Sequence, residues 1–171
     1  MNFRILVFTF FLLFVNCDNL VKNKHNEIIL GSVKYSYFIS STNEWYSEYD
    51  HKKFIDFKIV EKIKSYLSEV NIKIFFGTWC EDSRREIPIL FEILKFCSYD
   101  MSKLELIGLS KEKTSPSKIE KKFKINRIPT IIFVKNNSEL NRIVEYPIES
   151  LEKDILKILK KEKYFNAYHL E

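Results

Sequence analysis

The apolar and polar positions of this 171-residue chain fall into short blocks whose period changes along the sequence. Over residues 28–39, apolar and aromatic side chains alternate in part (Val33, Tyr35, Tyr37), which predicts a strand, and residues 40–48 read as an irregular link. Over residues 50–67, Phe54, Phe57, Val60, Ile63 and Leu67 recur at steps of three and four, the stripe of an amphipathic helix. Ile72, Ile74, Phe75 and Phe76 form a run too short for a helix, and their side chains pack well on a pleated sheet. They predict a buried strand that stops at Gly77. A long helix follows from Thr78 to about Cys97, with Thr78 and Glu81 as a capping box and Pro88 as the site of a kink.

Residues 104–109 read as the next strand, and Ser115-Pro116 as the N-cap and first position of a short helix through Ile119 and Phe123. Residues 131–135 and 141–146, joined across Asn136-Asn137, predict a hairpin. A last helix starts near Ser150 and carries Leu151, Ile155, Ile158 and Leu159. The order β, α, β, α, β, α, β, β, α predicts an α/β fold with a central mixed sheet and helices on both faces. No internal repeat and no second domain is visible.

Composition adds an N-terminal segment to this picture. A length of 171 residues suits one domain plus a targeting segment, and 15% aromatic residues fit a packed core rather than a disordered chain. After Arg4, an apolar run broken only by Thr9 extends over residues 5–15. It is too short to span a bilayer, which needs roughly 20 helical residues, and has the length of a secretory signal core. The run ends at Phe14-Val15-Asn16-Cys17, which is similar to a bacterial lipobox, whose cysteine is acylated and becomes the mature N-terminus. Residues 1–17 are therefore expected to be a lipoprotein signal segment with Cys17 as the lipidation site, with an uncleaved anchor or an ordinary signal peptide as alternatives. Residues 18–27 then form a polar, flexible tether, and 28–171 a single domain exported to the cell envelope and held at the membrane by lipid.

Charge excludes more than it suggests. Lys and Arg number 28 against 23 Asp and Glu, a mild excess spread along the chain without the interleaved aromatics of a nucleic-acid surface. Lys157, Lys160, Lys161 and Lys163 fall near a helix C-terminus, where cations complement the dipole. His25, His51 and His169 lack ligand spacing with cysteines or carboxylates, so no metal site is expected. Three glycines and no phosphate loop give no basis for a nucleotide cofactor.

The chemistry concentrates in Asn71–Pro88, N-I-K-I-F-F-G-T-W-C-E-D-S-R-R-E-I-P. Cys80 falls in the first turn of the predicted helix, where unpaired amides and the macrodipole favour the thiolate, the nucleophilic form of cysteine. Glu81 and Asp82 oppose that effect, and Arg84 or Arg85 would support it. Cys80 and Cys97, 17 residues apart on one helix, would stand roughly 25 Å apart and cannot form a disulfide. Cys97 reads as a small core hydrophobe.

At these residues the chain resembles the thioredoxin superfamily. The resemblance lies in a strand followed by Trp79-Cys80, in Pro88 eight residues further on, and in Ile128-Pro129-Thr130, which looks like the family's cis-proline loop ahead of a strand. It implies a thioredoxin-like three-layer α/β/α fold, a catalytic position at Cys80, and a shielding role for Trp79. The cis-proline implies that the backbone of Ile128 and Pro129 lies opposite Cys80 and offers hydrogen bonds to an extended substrate. Two departures stand out. Ser83 occupies the place of the family's second, resolving cysteine, and Ile74 the place of its buried carboxylate. A hydroxyl cannot close a disulfide, so redox chemistry here would be monothiol exchange, with release by an external thiol, a reductase partner or the substrate's own second cysteine. The expected partners are proteins bearing disulfides or thiols. The alternative is a thioredoxin-fold binding or scaffold module without turnover.

Overall fold

In chain order the elements are β1 (Gly31–Val33), α1 (Tyr35–Ser41), α2 (Phe57–Lys64), β2 (Val70–Phe76), α3 (Glu81–Phe96) and β3 (Leu104–Gly108). They continue with α4 (Ile119–Lys122), β4 (Thr130–Lys135), β5 (Ser138–Val144) and α5 (Leu151–Leu159). The computed structural model describes residues 28–42, 44–45 and 51–169. The expected signal segment 1–17 with Cys17, and the tether 18–27, lie outside the described residues.

The five strands form one mixed sheet in the order β1-β3-β2-β4-β5. β2 runs parallel to β3 and antiparallel to β4, and the edge strands β1 and β5 are each antiparallel to their neighbours. Period-2 alternation sends Ile72, Ile74 and Phe76 of β2 to one face and Phe75 to the other. The first face carries the larger core, where Phe38 of α1, Val60 and Ile63 of α2, Leu90 and Leu94 of α3 and Ile155 of α5 pack on Ile131, Phe133 and Ile143. The second is smaller. There Phe75, Ile107 and Ile132 meet Ile125 and Ile128, with Ile119 of the single-turn helix α4 and Phe123, its C-cap, partly covering them. The two helical layers are thus unequal.

Several elements differ from the sequence pattern. The strand predicted over 28–39 is only three residues long and gives way to α1, because Tyr35 and Phe38 use helical spacing: Phe38 is fully buried and meets Trp45, Phe76 and Phe91 edge-on. β1 must lie close to β3, and Gly108 allows it: a Cβ there would stand 2.2 Å from the carbonyl oxygen of Ile29. The helix predicted over 50–67 is interrupted after a 3-10 turn at His51–Phe54. Asp56 restarts it as N-cap of α2, its side chain accepting the Lys58 amide at 2.9 Å.

Ser115 is not a helix cap. Its amide and hydroxyl both donate to Oε2 of the buried Glu120, at 3.2 and 2.5 Å, and α4 begins after Lys118, whose φ is 55°. The hairpin turns through Asn136 and Asn137, both at positive φ (53° and 59°) as a tight two-residue connection requires, and β5 starts three residues earlier than predicted.

Asp154 pins the end of the domain. Fully buried in α5, it accepts the amides of Ile148 (2.6 Å) and Glu149 (3.3 Å) and the Tyr164 hydroxyl (2.9 Å). The carbonyl of Tyr164 in turn accepts Asn141 Nδ2 of β5 at 3.1 Å, so the chain after α5 is tied back to the sheet. Replacing Asp154 by Ala leaves three donors without their acceptor, and a loss on the order of 3 kcal/mol is expected in urea unfolding. A change within 0.5 kcal/mol, the scale of an ordinary surface substitution, would refute that role.

Candidate functional site

The site forms where β2 ends. The strand stops at Phe76, and residues 77–80 turn sharply, with the Cys80 amide donating to the Gly77 carbonyl at 3.0 Å. Gly77 is required by crowding: an added Cβ would come within 2.8 Å of the Trp79 ring and 2.9 Å of Ile128 Cδ1. Trp79 lies over this turn and donates its indole N–H to the Leu109 carbonyl at 3.0 Å, which fastens the end of β2 to the loop after β3.

Cys80 is the N-cap of α3 rather than a residue of its first turn, and its side chain makes no capping bond. The Thr78–Glu81 capping box is therefore not the start of this helix: the cap falls two residues later, and Glu81 becomes the first helical position. Cys80 Sγ instead donates to the carbonyl of Ile128 at 3.4 Å, and the Ile128–Pro129 peptide bond is cis. The sulfur packs among Phe75, Ile107, Leu109 and Ile128 with 9% of the residue exposed. Cys80, Trp79, Ile128 and Pro129 are thus brought together.

Ser83 is also at this turn, in a different capacity. It is fully buried, and its hydroxyl oxygen accepts the Gly77 amide at 3.3 Å. Ile74 is buried in the larger core, so the sheet provides no carboxylate at that position.

The charged residues after Cys80 mostly satisfy one another. Arg85 bridges Asp82 (2.7 Å) and Glu86 (2.8 Å), which commits that guanidinium to carboxylates. Burial pushes the Glu86 carboxyl above its ordinary range, the Asp82 charge adds to this, and Arg85 offsets only part of it. Cys97, on the other side of the sheet, has a thiol pushed up to about 11 by burial, with Glu61 adding and Lys64 opposing. Its Sγ donates to the Val60 carbonyl at 3.6 Å, as a structural thiol does.

The loop that carries Ile128 is braced from three sides. Thr130 Oγ1 donates to the Arg127 carbonyl at 2.6 Å, the Glu145 amide donates to the Pro129 carbonyl at 2.7 Å, and the Ile125 amide donates to the Glu120 carbonyl at 2.9 Å. Glu145 and the residues around it, Arg127 and Tyr168, were not visible as site residues in the sequence. Arg127 stacks on Tyr168, 3.8 Å from the ring centroid, and the Tyr168 hydroxyl bonds to Glu145, whose carboxylate also lies 3.8 Å from Arg127. The only signal available was a tyrosine-rich C-terminus.

No family model and no curated protein matches the sequence. Two solved structures share its architecture. A protein of unknown function from Pseudomonas aeruginosa is 14% identical and superposes with a TM-score of 0.56 over 75% of this chain and 92% of that one. An HIV epitope-scaffold protein is 14% identical, with a TM-score of 0.57 over 77% and 94%. A thioredoxin from Fasciola hepatica superposes more loosely, with 17% identity and a TM-score of 0.39 over 60% and 89%, and adds no weight. The strand order, the β2–α3 turn with Cys80 at the helix cap and the cis-proline ahead of β4 give the chain a thioredoxin-like α/β fold.

Glu120 yields a pH-dependent test of this frame. Burial raises its carboxyl pKa, but the bonds from Ser115 outweigh burial and leave it below the ordinary value of 4.5. A carboxylate with a depressed folded-state pKa stabilises above the unfolded value and loses that contribution as pH falls through the folded one. Glu120→Gln is expected to cost on the order of 1 kcal/mol near neutral pH. In urea titrations at a series of pH values, this cost should shrink progressively below pH 4.5. A pH-independent difference would show that the ionised form is not what Ser115 holds.

Proposed function

We propose that the chain is a thiol–disulfide exchange protein of the cell envelope that works through one nucleophile, Cys80. The observation that carries this reading is the contact between Cys80 Sγ and the carbonyl of Ile128, at a strand-to-helix turn and beside a cis X-Pro bond. Such a carbonyl has two states. While Cys80 is a thiol, it accepts the S–H. Once Cys80 is a thiolate there is no S–H to accept, and the same oxygen is free to take an N–H from an extended peptide laid along residues 128–130.

The chemistry then balances with a single cysteine. The Cys80 thiolate attacks one sulfur of a substrate disulfide, a Cys80–substrate disulfide forms as the substrate's own bond breaks, and the second substrate sulfur leaves as a thiolate that takes a proton from water. The number of disulfides is unchanged. Ser83 cannot complete a second exchange, so release falls to an external thiol, a reductase partner, or the substrate's departing thiolate attacking back. That mode fits isomerisation, removal of a mixed-disulfide adduct, or retention of a client. Export and acylation at Cys17 are part of the same proposal and rest on the N-terminal sequence: an apolar signal core followed by a lipobox-like cysteine would hold the domain at a membrane, facing compartments where protein disulfides persist.

One observation favours a second reading, a binding module that kept the site's shape without turnover. Cys80 is 9% exposed and its sulfur is already hydrogen-bonded. Trapping separates the two. Incubated with a peptide carrying a disulfide to a chromogenic thiol, the full chain should release one equivalent of that thiol and retain the peptide on Cys80. Cys80→Ala should give none, and Cys97, its thiol raised to about 11, should stay unmodified at pH 8. Ser83→Cys should turn the single release into repeated turnover with a reductant present. No release from the wild type would leave the binding module as the reading.

A further inference from the structure

The chain beyond α5 continues past the point where the fold needs it. Tyr164 is buried and held by Asp154 and Asn141. From there residues 165–169 run to the cis-proline loop. The Tyr168 amide bonds to Asn166 Oδ1 at 2.9 Å, closing a local turn, and Phe165 stacks on His169 with ring centroids 3.9 Å apart. Tyr168 is thereby presented to the far end of the site.

Its ring does three things there. One face takes the Arg127 guanidinium at 3.8 Å, an edge meets Tyr146 at 6.2 Å, and the hydroxyl bonds to the Glu145 carboxylate. Two of these partners, Arg127 and Glu145, are neighbours of the loop that faces the thiol. Arg127 precedes Ile128, whose carbonyl accepts Cys80 Sγ, and its own carbonyl accepts Thr130 Oγ1. Glu145 sits at a left-handed φ of 60°, which a non-glycine residue adopts only when its surroundings hold it, and its amide donates to Pro129. Arg127, ahead of Ile128-Pro129, and Glu145, bonded to Pro129, are therefore tied to one side chain 41 and 23 positions later in the sequence.

We propose that Tyr168 is a positioning residue and that the C-terminal segment acts as a strap, fixing the cis-proline loop so that the Ile128 carbonyl stays aligned with Cys80. The role rests on the proposed thiol–disulfide reading for its biological meaning, and its physical content, the accessibility and alignment of the Cys80 sulfur, is measurable without it. A strap reaching the loop only from the C-terminus also implies that changes at the end of the chain are felt at the thiol. Phe165, 47% exposed, lies on the strap, and Tyr146, 43% exposed, lies at its contact with Tyr168.

The experiment uses the full chain and two readouts. Alkylation of Cys80 by iodoacetamide, resolved from the other cysteines by peptide mapping, reports the sulfur itself. Release of the chromogenic thiol from the disulfide peptide reports function. Tyr168→Ala removes the stack and the hydroxyl, Tyr168→Phe keeps the stack alone, and Glu145→Gln weakens the hydroxyl's partner. In Tyr168→Ala the rate of Cys80 alkylation should change by about fivefold, the factor one stacked cation–aromatic contact represents. Tyr168→Phe should restore most of it, and Cys97 alkylation should not move, since a general loosening would expose both thiols.

Unchanged Cys80 alkylation in Tyr168→Ala overturns the strap, whatever the peptide assay gives. Equal acceleration at Cys80 and Cys97 overturns it as well, because the effect is then global. A wild type that releases no thiol from the peptide, with Tyr168→Ala still altering Cys80 alone, sustains the strap and removes the exchange reading, so the two failures are distinguishable.

Discussion

The register between β2 and β4 is the constraint on which the site depends. Ile74 pairs with Ile131 and Phe75 with Thr130 in antiparallel sense, so the chain leaving β2 and the chain entering β4 must meet at the same end of the sheet. Cys80 lies on the first of these segments and Ile128 on the second, 48 positions apart in sequence and 3.4 Å apart in space. A slip of one residue would turn Phe75 to the larger core and carry Ile74 to the other face, so the two cores that fix the register also fix the contact. Packing thus sets the chemistry here: the sulfur is placed by hydrophobic alternation several residues away from it.

The unequal layers bear on what the site is able to do. The larger core takes in residues of four helices, whereas among the described residues the second face is closed by α4, one turn long, and the loops around it. Cys80, Ile128, Trp79 and the braces of the proline loop are all on this thinner side. A segment held by few apolar contacts and many discrete hydrogen bonds opens at lower free energy than a packed core. Glu120 with Ser115, and Arg127 with Glu145 and Tyr168, supply by polar contacts the definition that the thin layer lacks.

The central strands and the last helix were legible because their hydrophobic period is unambiguous: Ile72 to Phe76, the stripe of Leu151, Ile155, Ile158 and Leu159, and the Asn136-Asn137 turn each specify one local structure. The segment Tyr35–Ser41 was not, because aromatic residues at 35 and 37 satisfy a period of two, and only the burial of Phe38 against Phe76 and Phe91 decides for a helix. Asp56 was a readable N-cap inside a longer periodic stretch, and the periodicity concealed it. At the site, Trp79, Cys80, Ile128 and Pro129 were visible as a pattern, but the partners of that pattern were not. The Leu109 carbonyl that holds Trp79 and the Tyr168 ring that holds Arg127 are chosen by tertiary proximity and leave no local signature.

Ser83 supports the turn that carries Cys80 through a bond that a cysteine at that position would make poorly. A cysteine there would bring a weak sulfur acceptor to the Gly77 amide, whereas the hydroxyl oxygen accepts it well and does so in a fully buried setting. That amide belongs to the tightest point of the turn, where neither the Trp79 ring nor the Ile128 side chain leaves room for a Cβ. The hydroxyl therefore stabilises the same turn that aims Cys80 at Ile128. The Ser83 hydroxyl, the Gly77 turn and the Cys80–Ile128 contact thus form one frame, held by an oxygen acceptor supplied from within α3.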